Sequence, residues 1–310
     1  MSLLIRIYFN AVFGGLGGLL GWILFGAFFD PKGSGFLHRF LAGAVIGCSI
    51  GYFVVSVEAI RDRSLVRFSR LATYGLLLGA LGGALGFVLG EEFFGVLTDR
   101  MKADREHSAL YLIGAGFVRG IGWMILGLAV GISEGIAARS LGKFSYGAIG
   151  GALGGFVGGF LFGLFYTAAH RRGDPTLIWG AVGLVIVGAC IGSLSALVQG
   201  VFQPASVKVM RGWQEGREYA LDKPSNRLGR DEHADIALFR DMRVEKQHAL
   251  IQRQGNRFVL VNTNAPADYT RVNGRPVSNN HELHDGDRIE LGQVVLRFQM
   301  RVAQNRRRKG

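Results

Sequence analysis

The sequence is poor in cysteine, proline and charge, and each shortage removes a class of protein. Two cysteines, Cys48 and Cys190, among 310 residues cannot build an extracellular disulfide framework. Six prolines and glycines without a three-residue period exclude a collagen. There is no Cys–His cluster, serine-nucleophile motif or kinase signature, so no enzyme activity, cofactor or metal is expected. The nearest thing to a zinc fragment is His281-Glu282-Leu283-His284, whose histidines stand three apart in what reads as a strand and turn. Charged residues make up only 19% of the chain against 49% hydrophobic ones, which excludes a wholly soluble protein.

What is abundant is glycine, and it is unevenly spread. Of 48 glycines, 40 precede Gln203 and 8 follow it. Charge shifts the other way: residues 1–203 carry 15 Lys+Arg against 10 Asp+Glu, and residues 204–310 carry 20 against 13. One core cannot serve both compositions, so the chain divides near Gln203. Six stretches before that point reach the roughly 20 apolar residues that a bilayer crossing needs. They are Ile7–Phe29, Leu41–Ile60, Leu71–Gly90, Tyr111–Ile132, Tyr146–Ala168 and Leu177–Gly200. The first is too long, and lacks a small-residue cleavage site, to be a removable signal.

An internal repeat organises these spans. The first, third and fifth share one string: Gly14-x-x-Gly17-Gly18-x-x-Gly21, Gly79-x-x-Gly82-Gly83-x-x-Gly86 and Gly151-x-x-Gly154-Gly155-x-x-Gly158. The second, fourth and sixth place a polar residue seven positions after a glycine: Gly51 to Glu58, Gly127 to Glu134 and Gly192 to Gln199. The unit is thus a helical hairpin used three times in parallel. A phosphate-cradling loop would need a strand, a turn and a following Lys or acidic partner, and these strings sit inside apolar helices. Glycines three and four apart instead form a zipper-like groove in which helix backbones approach closely, the means by which membrane helices associate; the same faces suit a homo-oligomer. Glu58, Glu134, Gln199 and the deeper Arg119 are the intramembrane polar candidates. Repeated acids could mark an ion path, or interfacial carboxylates that are hydrated or paired with Arg61, Arg63 and Arg139. Outside the C-terminal domain the two faces carry seven basic residues each. The positive-inside rule therefore places the C-terminus in the cytoplasm only through the basic C-terminal domain.

Beyond Gln203 short alternating strands with regular turns point to a β-sandwich. They are Ser206–Met210, Glu218–Leu221, Ile236–Leu238, Ala249–Arg253, Arg257–Val261, Arg271–Val272, Arg288–Leu291 and Val294–Met300. Five pieces occur there in order: Leu228-Gly229-Arg230, Ala234-Asp235-Ile236, Val244-x-x-x-His248-Ala249, Val272-Asn273-Gly274, and Asp285-Gly286-Asp287-Arg288-Ile289-Glu290-Leu291-Gly292. With these pieces, residues 206–301 resemble a forkhead-associated (FHA) domain. The resemblance implies an eleven-stranded sandwich that binds phosphothreonine peptides through loops at one end. It makes Arg230 a phosphate ligand and His248 a loop-ordering residue, with Asn273 likewise structural. It also implies a phosphate-binding serine three before the histidine, where this chain has Glu245, flanked by Arg243 and Lys246. A peptide-holding asparagine aligns with Asp268 or, if the loop carries an insertion, with Asn264. A pairing of Arg230 with Glu245 would leave a site without phosphate.

The expected architecture is an α-helical membrane bundle of six spans in three tandem hairpins over residues 1–203, an all-β FHA-like sandwich over 204–301 and a basic disordered tail over 302–310. Two functions fit it. One is a membrane-anchored interaction module, a scaffold or signalling protein in the bilayer of a bacterial inner membrane. Its cytoplasmic domain binds a protein partner, with threonine phosphorylation an open requirement. The other is a channel or transporter regulated by that domain. The tail Arg306-Arg307-Arg308-Lys309 has no interleaved aromatics for base stacking, so nucleic acid is not an expected partner.

Overall fold

A computed structural model describes residues 3–29, 35–62, 65–100, 109–173, 176–263 and 265–300. The chain forms two compact units that divide between Val201 and Phe202.

The first unit consists of six helices: α1 (Leu3–Phe28), α2 (Phe36–Asp62), α3 (Leu65–Arg100), α4 (Ala109–Ala138), α5 (Leu141–Arg172) and α6 (Thr176–Phe202). Each holds a stretch long and apolar enough to cross a membrane. The helices outrun the apolar spans read from sequence, because a helix continues through polar residues until something stops it. For α5 the stops are explicit. The Ser140 hydroxyl caps its start by accepting from the Lys143 backbone N–H at 3.2 Å. Gly173 ends it in the left-handed region at φ 76°, where glycine carries no Cβ penalty.

Burial in these helices is inverted relative to a soluble bundle. The buried residues of α1 are Gly14, Gly15, Gly17, Gly18 and Gly21, while Leu16, Leu19, Leu20 and Ile23 are exposed. Small residues face inward and large apolar ones outward, as expected where lipid is the surrounding solvent.

Each glycine string serves two neighbours at once. A Cβ on Gly79 or Gly83 would strike the carbonyl oxygens of Gly47 and Gly43 on α2, and one on Gly82 or Gly86 would strike Ala129 and Gly122 on α4. Likewise Gly151 and Gly155 abut Gly127 and Trp123 on α4, whereas Gly154 and Gly158 lie against Ile191 and Val187 on α6. In α1, Gly14 and Gly18 meet Gly188 and Leu184 on α6, and Gly17 and Gly21 meet Ile50 and Ile46 on α2. The first and third glycines of every string thus face one even-numbered helix and the second and fourth face the next. The α1–α6 contact closes the six helices into a ring. Self-association through these faces, expected above, finds no free glycine stripe in the three strings, since each is filled on both sides by the same chain. At the centre Ile50, Leu126 and Ile191 are fully buried in one packed cluster. Each immediately precedes the glycine of its even-helix spacing.

The second unit is a sandwich of two sheets. One runs in the order β2 (Glu218–Ala220), β1 (Ala205–Arg211), β11 (Val294–Met300), β10 (Arg288–Leu291), β7 (Thr270–Val272), β8 (Arg275–Pro276). The other runs β4 (Ile236–Ala237), β3 (Ser225–Gly229), β5 (Ala249–Gln254), β6 (Arg257–Asn262), β9 (Asn280–Leu283). Eight of the eleven strands fall where sequence alternation places them. The other three, β3, β8 and β9, have too few apolar residues to alternate: β3 reads Ser-Asn-Arg-Leu-Gly, β8 Arg-Pro and β9 Asn-His-Glu-Leu. The core closes within the unit, with Leu228, Ile251, Phe258, Leu260, Ile289, Leu296 and Phe298 almost wholly buried. Each such side chain contributes about 1.5–3 kcal/mol, so the sandwich needs no apolar support from the helices.

The ring makes a prediction with two signs. Gly151→Ala should cost about 1–3 kcal/mol through overpacking against the Gly127 backbone. Gly95→Ala, on α3 where an added Cβ would meet open space, should be neutral or gain up to about 1 kcal/mol in helix propensity. Thermal unfolding of the two purified variants in detergent would show equal midpoints if the strings did not pack as described.

Candidate functional site

One end of the sandwich gathers the loops β3–β4, β4–β5 and β6–β7 with the β10–β11 turn. The Gly-Arg pair explains itself locally. A Cβ on Gly229 would overlap the Lys246 carbonyl, so only glycine lets β3 end against the β4–β5 loop. The next residue, Arg230, donates its backbone N–H to the Glu245 carbonyl at 2.9 Å. Two residues hold the loop. Asp241 accepts from the backbone N–H of Arg243 at 3.0 Å and from that of Gln293, in the β10–β11 turn, at 2.5 Å. His248 is fully buried. Its Nδ1 accepts from the Glu245 backbone N–H at 3.1 Å, so Nε2 carries the proton and faces Thr270 Oγ1 at 3.0 Å. Burial pushes the imidazole below its ordinary range, against the smaller upward pull of a hydrogen bond to the Tyr269 backbone and of the Glu245 and Asp241 charges.

Around this frame Arg243, Glu245, Lys246 and Asp268 are exposed, and Arg230 is half-buried. Arg230 directs Nη1 to the sulfur of Met242 at 2.9 Å, and its Nε has no hydrogen-bond partner. Arg230 and Glu245 are joined through backbone; among the described residues no ion pair links their side chains, so the alternative pairing is not formed and Arg230 makes the thioether contact instead. Asp268 lies in a short 3-10 turn, Ala267–Tyr269, and Asn264 is outside the described residues. Asn273 is at the other end of the sandwich. With φ 52° before Gly274 at 81°, it turns β7 into β8 and ties to Asp287 at 2.9 Å. It orders that distal turn, not the loops around Arg230. Sequence reading missed a hollow of about 620 Å³ beside the loops, where Arg240 lies 4.4 Å over the Trp213 ring with Phe239 alongside. The left-handed Arg240, at φ 69°, leaves no sequence signal.

In the helical unit three candidates converge. Lys143 Nζ donates to Glu58 Oε2 and to Glu134 Oε1, both at 2.8 Å. Gln199 Nε2 donates to Glu134 Oε2 at 2.8 Å, and Arg6 Nη2 donates to Gln199 Oε1 at 2.7 Å. The two carboxylates thus share a lysine from another hairpin; of the arginines that sequence proximity suggested, Arg63 and the side chain of Arg61 lie outside the described residues. Lys143 and Arg6 were legible in principle: each stands eight residues before the first glycine of its string. The equivalent place in the second string is Leu71. Two cations therefore meet two carboxylates, and the third acceptor position is the neutral Gln199. Arg119 is elsewhere, with Glu91 at 3.5 Å.

An eleven-stranded sandwich with this Gly-Arg pair and histidine-locked loop resembles FHA domains, a class of protein-interaction modules. Residues 208–301 match the family described as the inner membrane component of T3SS, cytoplasmic domain. Over 90 residues the chain is 34% identical to an oxoglutarate dehydrogenase inhibitor from Corynebacterium diphtheriae, covering 29% of this chain and 61% of that protein. Over 94 residues it is 33% identical to the glycogen accumulation regulator GarA of Mycolicibacterium smegmatis, covering 30% and 58%. The chain thus spans about three fifths of these relatives' lengths. A solved structure described for phosphothreonine-dependent FHA domain interactions is 32% identical and covers 31% of this chain and 96% of that one, with a TM-score of 0.28.

Two outcomes follow. Lys143→Met leaves two half-buried carboxylates without their lysine and should cost up to about 3–5 kcal/mol. Adding Glu58→Gln and Glu134→Gln should recover most of the lost thermal midpoint, and an unchanged midpoint in the single variant would dismiss the cluster. For His248 the depressed native pKa favours the neutral ring. Its contribution is held above the unfolded value of about 6.5 and is lost as pH falls below it, because the unfolded chain takes up a proton that the native one does not. Denaturation of residues 204–310 between pH 8 and 5 should show this decline, flattened in His248→Gln.

Proposed function

We propose that this chain is a membrane-anchored protein-interaction module. Residues 1–203 fix it in a bacterial inner membrane, and the FHA-type domain over 204–301, with its basic tail, captures a protein partner in the cytoplasm. The observation that carries this reading is the loop cluster of Arg230, Arg243, Glu245, Lys246 and Asp268, exposed or half-exposed on a frame held rigid by Asp241 and His248. The match to an inner-membrane component's cytoplasmic domain supports the placement, and six membrane-length helices support the anchor. The buried Ile50, Leu126 and Ile191 favour an anchor over a conduit, because three large aliphatic side chains fill the centre of the ring.

The chemistry of the loops sets the mode of binding. Arg230 can offer a phosphate the Nη1 donor that now meets only a thioether, a contact that a charge-assisted bond would outcompete. Glu245 works against it, since an ionised carboxylate repels phosphate and has no hydrogen to donate. Arg243 and Lys246 offset that charge in part. Binding therefore rests chiefly on the partner's polypeptide, with phosphothreonine adding a modest increment.

Titration of residues 204–310 with phosphothreonine peptides and their unphosphorylated counterparts tests this. The phosphorylated form should be favoured by less than about tenfold, that is by under about 1.4 kcal/mol. Glu245→Ser should widen the preference by roughly tenfold or more, and Arg230→Ala should erase it. Absence of binding to any peptide would overturn the reading.

A further inference from the structure

At the end of the bundle where α6 begins, opposite the Lys143 cluster along the helices, lies a cavity of about 330 Å³. All six helices contribute to it. Trp22, Phe87, Trp123, Phe162 and Tyr166 supply aromatic walls, and Arg119 is set among them, with Glu91, Arg39 and His38 also in the lining. The volume is at the lower end of the range for small-molecule sites.

Arg119 is held there without being satisfied. Its guanidinium lies 4.7 Å from the Phe94 ring centroid and 5.4 Å from those of Phe162 and Tyr166. Its one hydrogen bond among the described residues reaches Glu91 at 3.5 Å, and Nε is buried with no partner. The side chain is 15% exposed. The same bundle shows what a structurally neutralised cation looks like: Lys143 has two carboxylates at 2.8 Å. Arg39, also at the cavity, is taken up by Glu92 at 2.8 Å. Arginine cannot escape its charge by losing a proton, and a charge within a membrane span is costly unless something answers it. An aromatic cage alone would suit an organic cation, but a permanent guanidinium in the wall repels one.

We propose that this cavity binds an oxyanion, a carboxylate or phosphate, through Arg119, with the aromatic walls receiving the apolar body that carries it. The inference rests on the membrane-anchored reading for its setting. Glu91 competes with the ligand for the guanidinium and so weakens binding.

The test uses the full chain in dodecyl maltoside micelles with Trp179→Phe and Trp213→Phe, which leaves Trp22 and Trp123 of the four tryptophans, both at the cavity. Bromine-labelled dodecanoate should quench their emission saturably, and bromine-labelled dodecanol should not. Arg119→Gln should weaken the quenching by at least about tenfold, and Glu91→Gln should strengthen it several-fold. If Arg119→Gln does not fold, judged by its unfolding midpoint, the Glu91→Gln gain alone decides. Relief of quenching by inorganic phosphate or acetate would identify a soluble anion as sufficient. No relief would assign recognition to the anionic amphiphile; either result supports an oxyanion site. Equal quenching by dodecanol, or unchanged quenching in Arg119→Gln or in Glu91→Gln, would overturn it. Carbonate washing of membranes reports separately on anchoring, so failure of that reading and failure of the site are distinguishable.

Discussion

The helical unit depends on backbone meeting backbone. Between α2 and α3, α4 and α5, and α6 and α1, glycine carbonyls lie where a neighbouring glycine's Cβ would be. Apolar side chains gain little by leaving lipid for each other, so close approach supplies the attraction that the hydrophobic effect supplies in water. Everything else in the unit follows from that spacing. Most leucines are turned outward because much of the inside is reserved for main chain, and Ile50, Leu126 and Ile191 are packed within it together with Ile46, Leu184 and Val187.

The same closeness decides where charge can be tolerated. Helices this near bring Lys143 between two carboxylates from other helices, and among the described residues four charged side chains and one amide join in one connected group. Arg119, by contrast, is placed among rings, with one distant carboxylate. The two cations illustrate a general point about buried charge: pairing geometry, more than burial itself, separates a structural group from one prepared for a ligand.

Much of this was legible as spacing. The string repeated at Gly14, Gly79 and Gly151 located the packing faces, and the seven-residue offset located Glu58, Glu134 and Gln199. The cations opposite them were missed because Lys143 lies at a helix start, where a lysine reads as an interfacial residue, and because Leu71 breaks the series. In the sandwich, ordered motifs identified the fold from β3 onward although β3 itself has one large apolar residue. The Arg230 side chain could not be placed, since its contact is with Met242, twelve residues away on a loop that no periodicity describes. The hollow at Trp213 depends on a left-handed arginine, a backbone choice that composition does not encode.

Because α1 completes its packing against α6, the ring has consequences for the order in which it can assemble. Gly14 and Gly18 are synthesised some 170 positions before their partners Gly188 and Leu184. At about 5–20 residues per second that half of the groove waits roughly 10–30 seconds for its occupant. The first helix must therefore wait with one prepared face open, and the unit matures as a circle closed by its last member, not as three hairpins finished in turn.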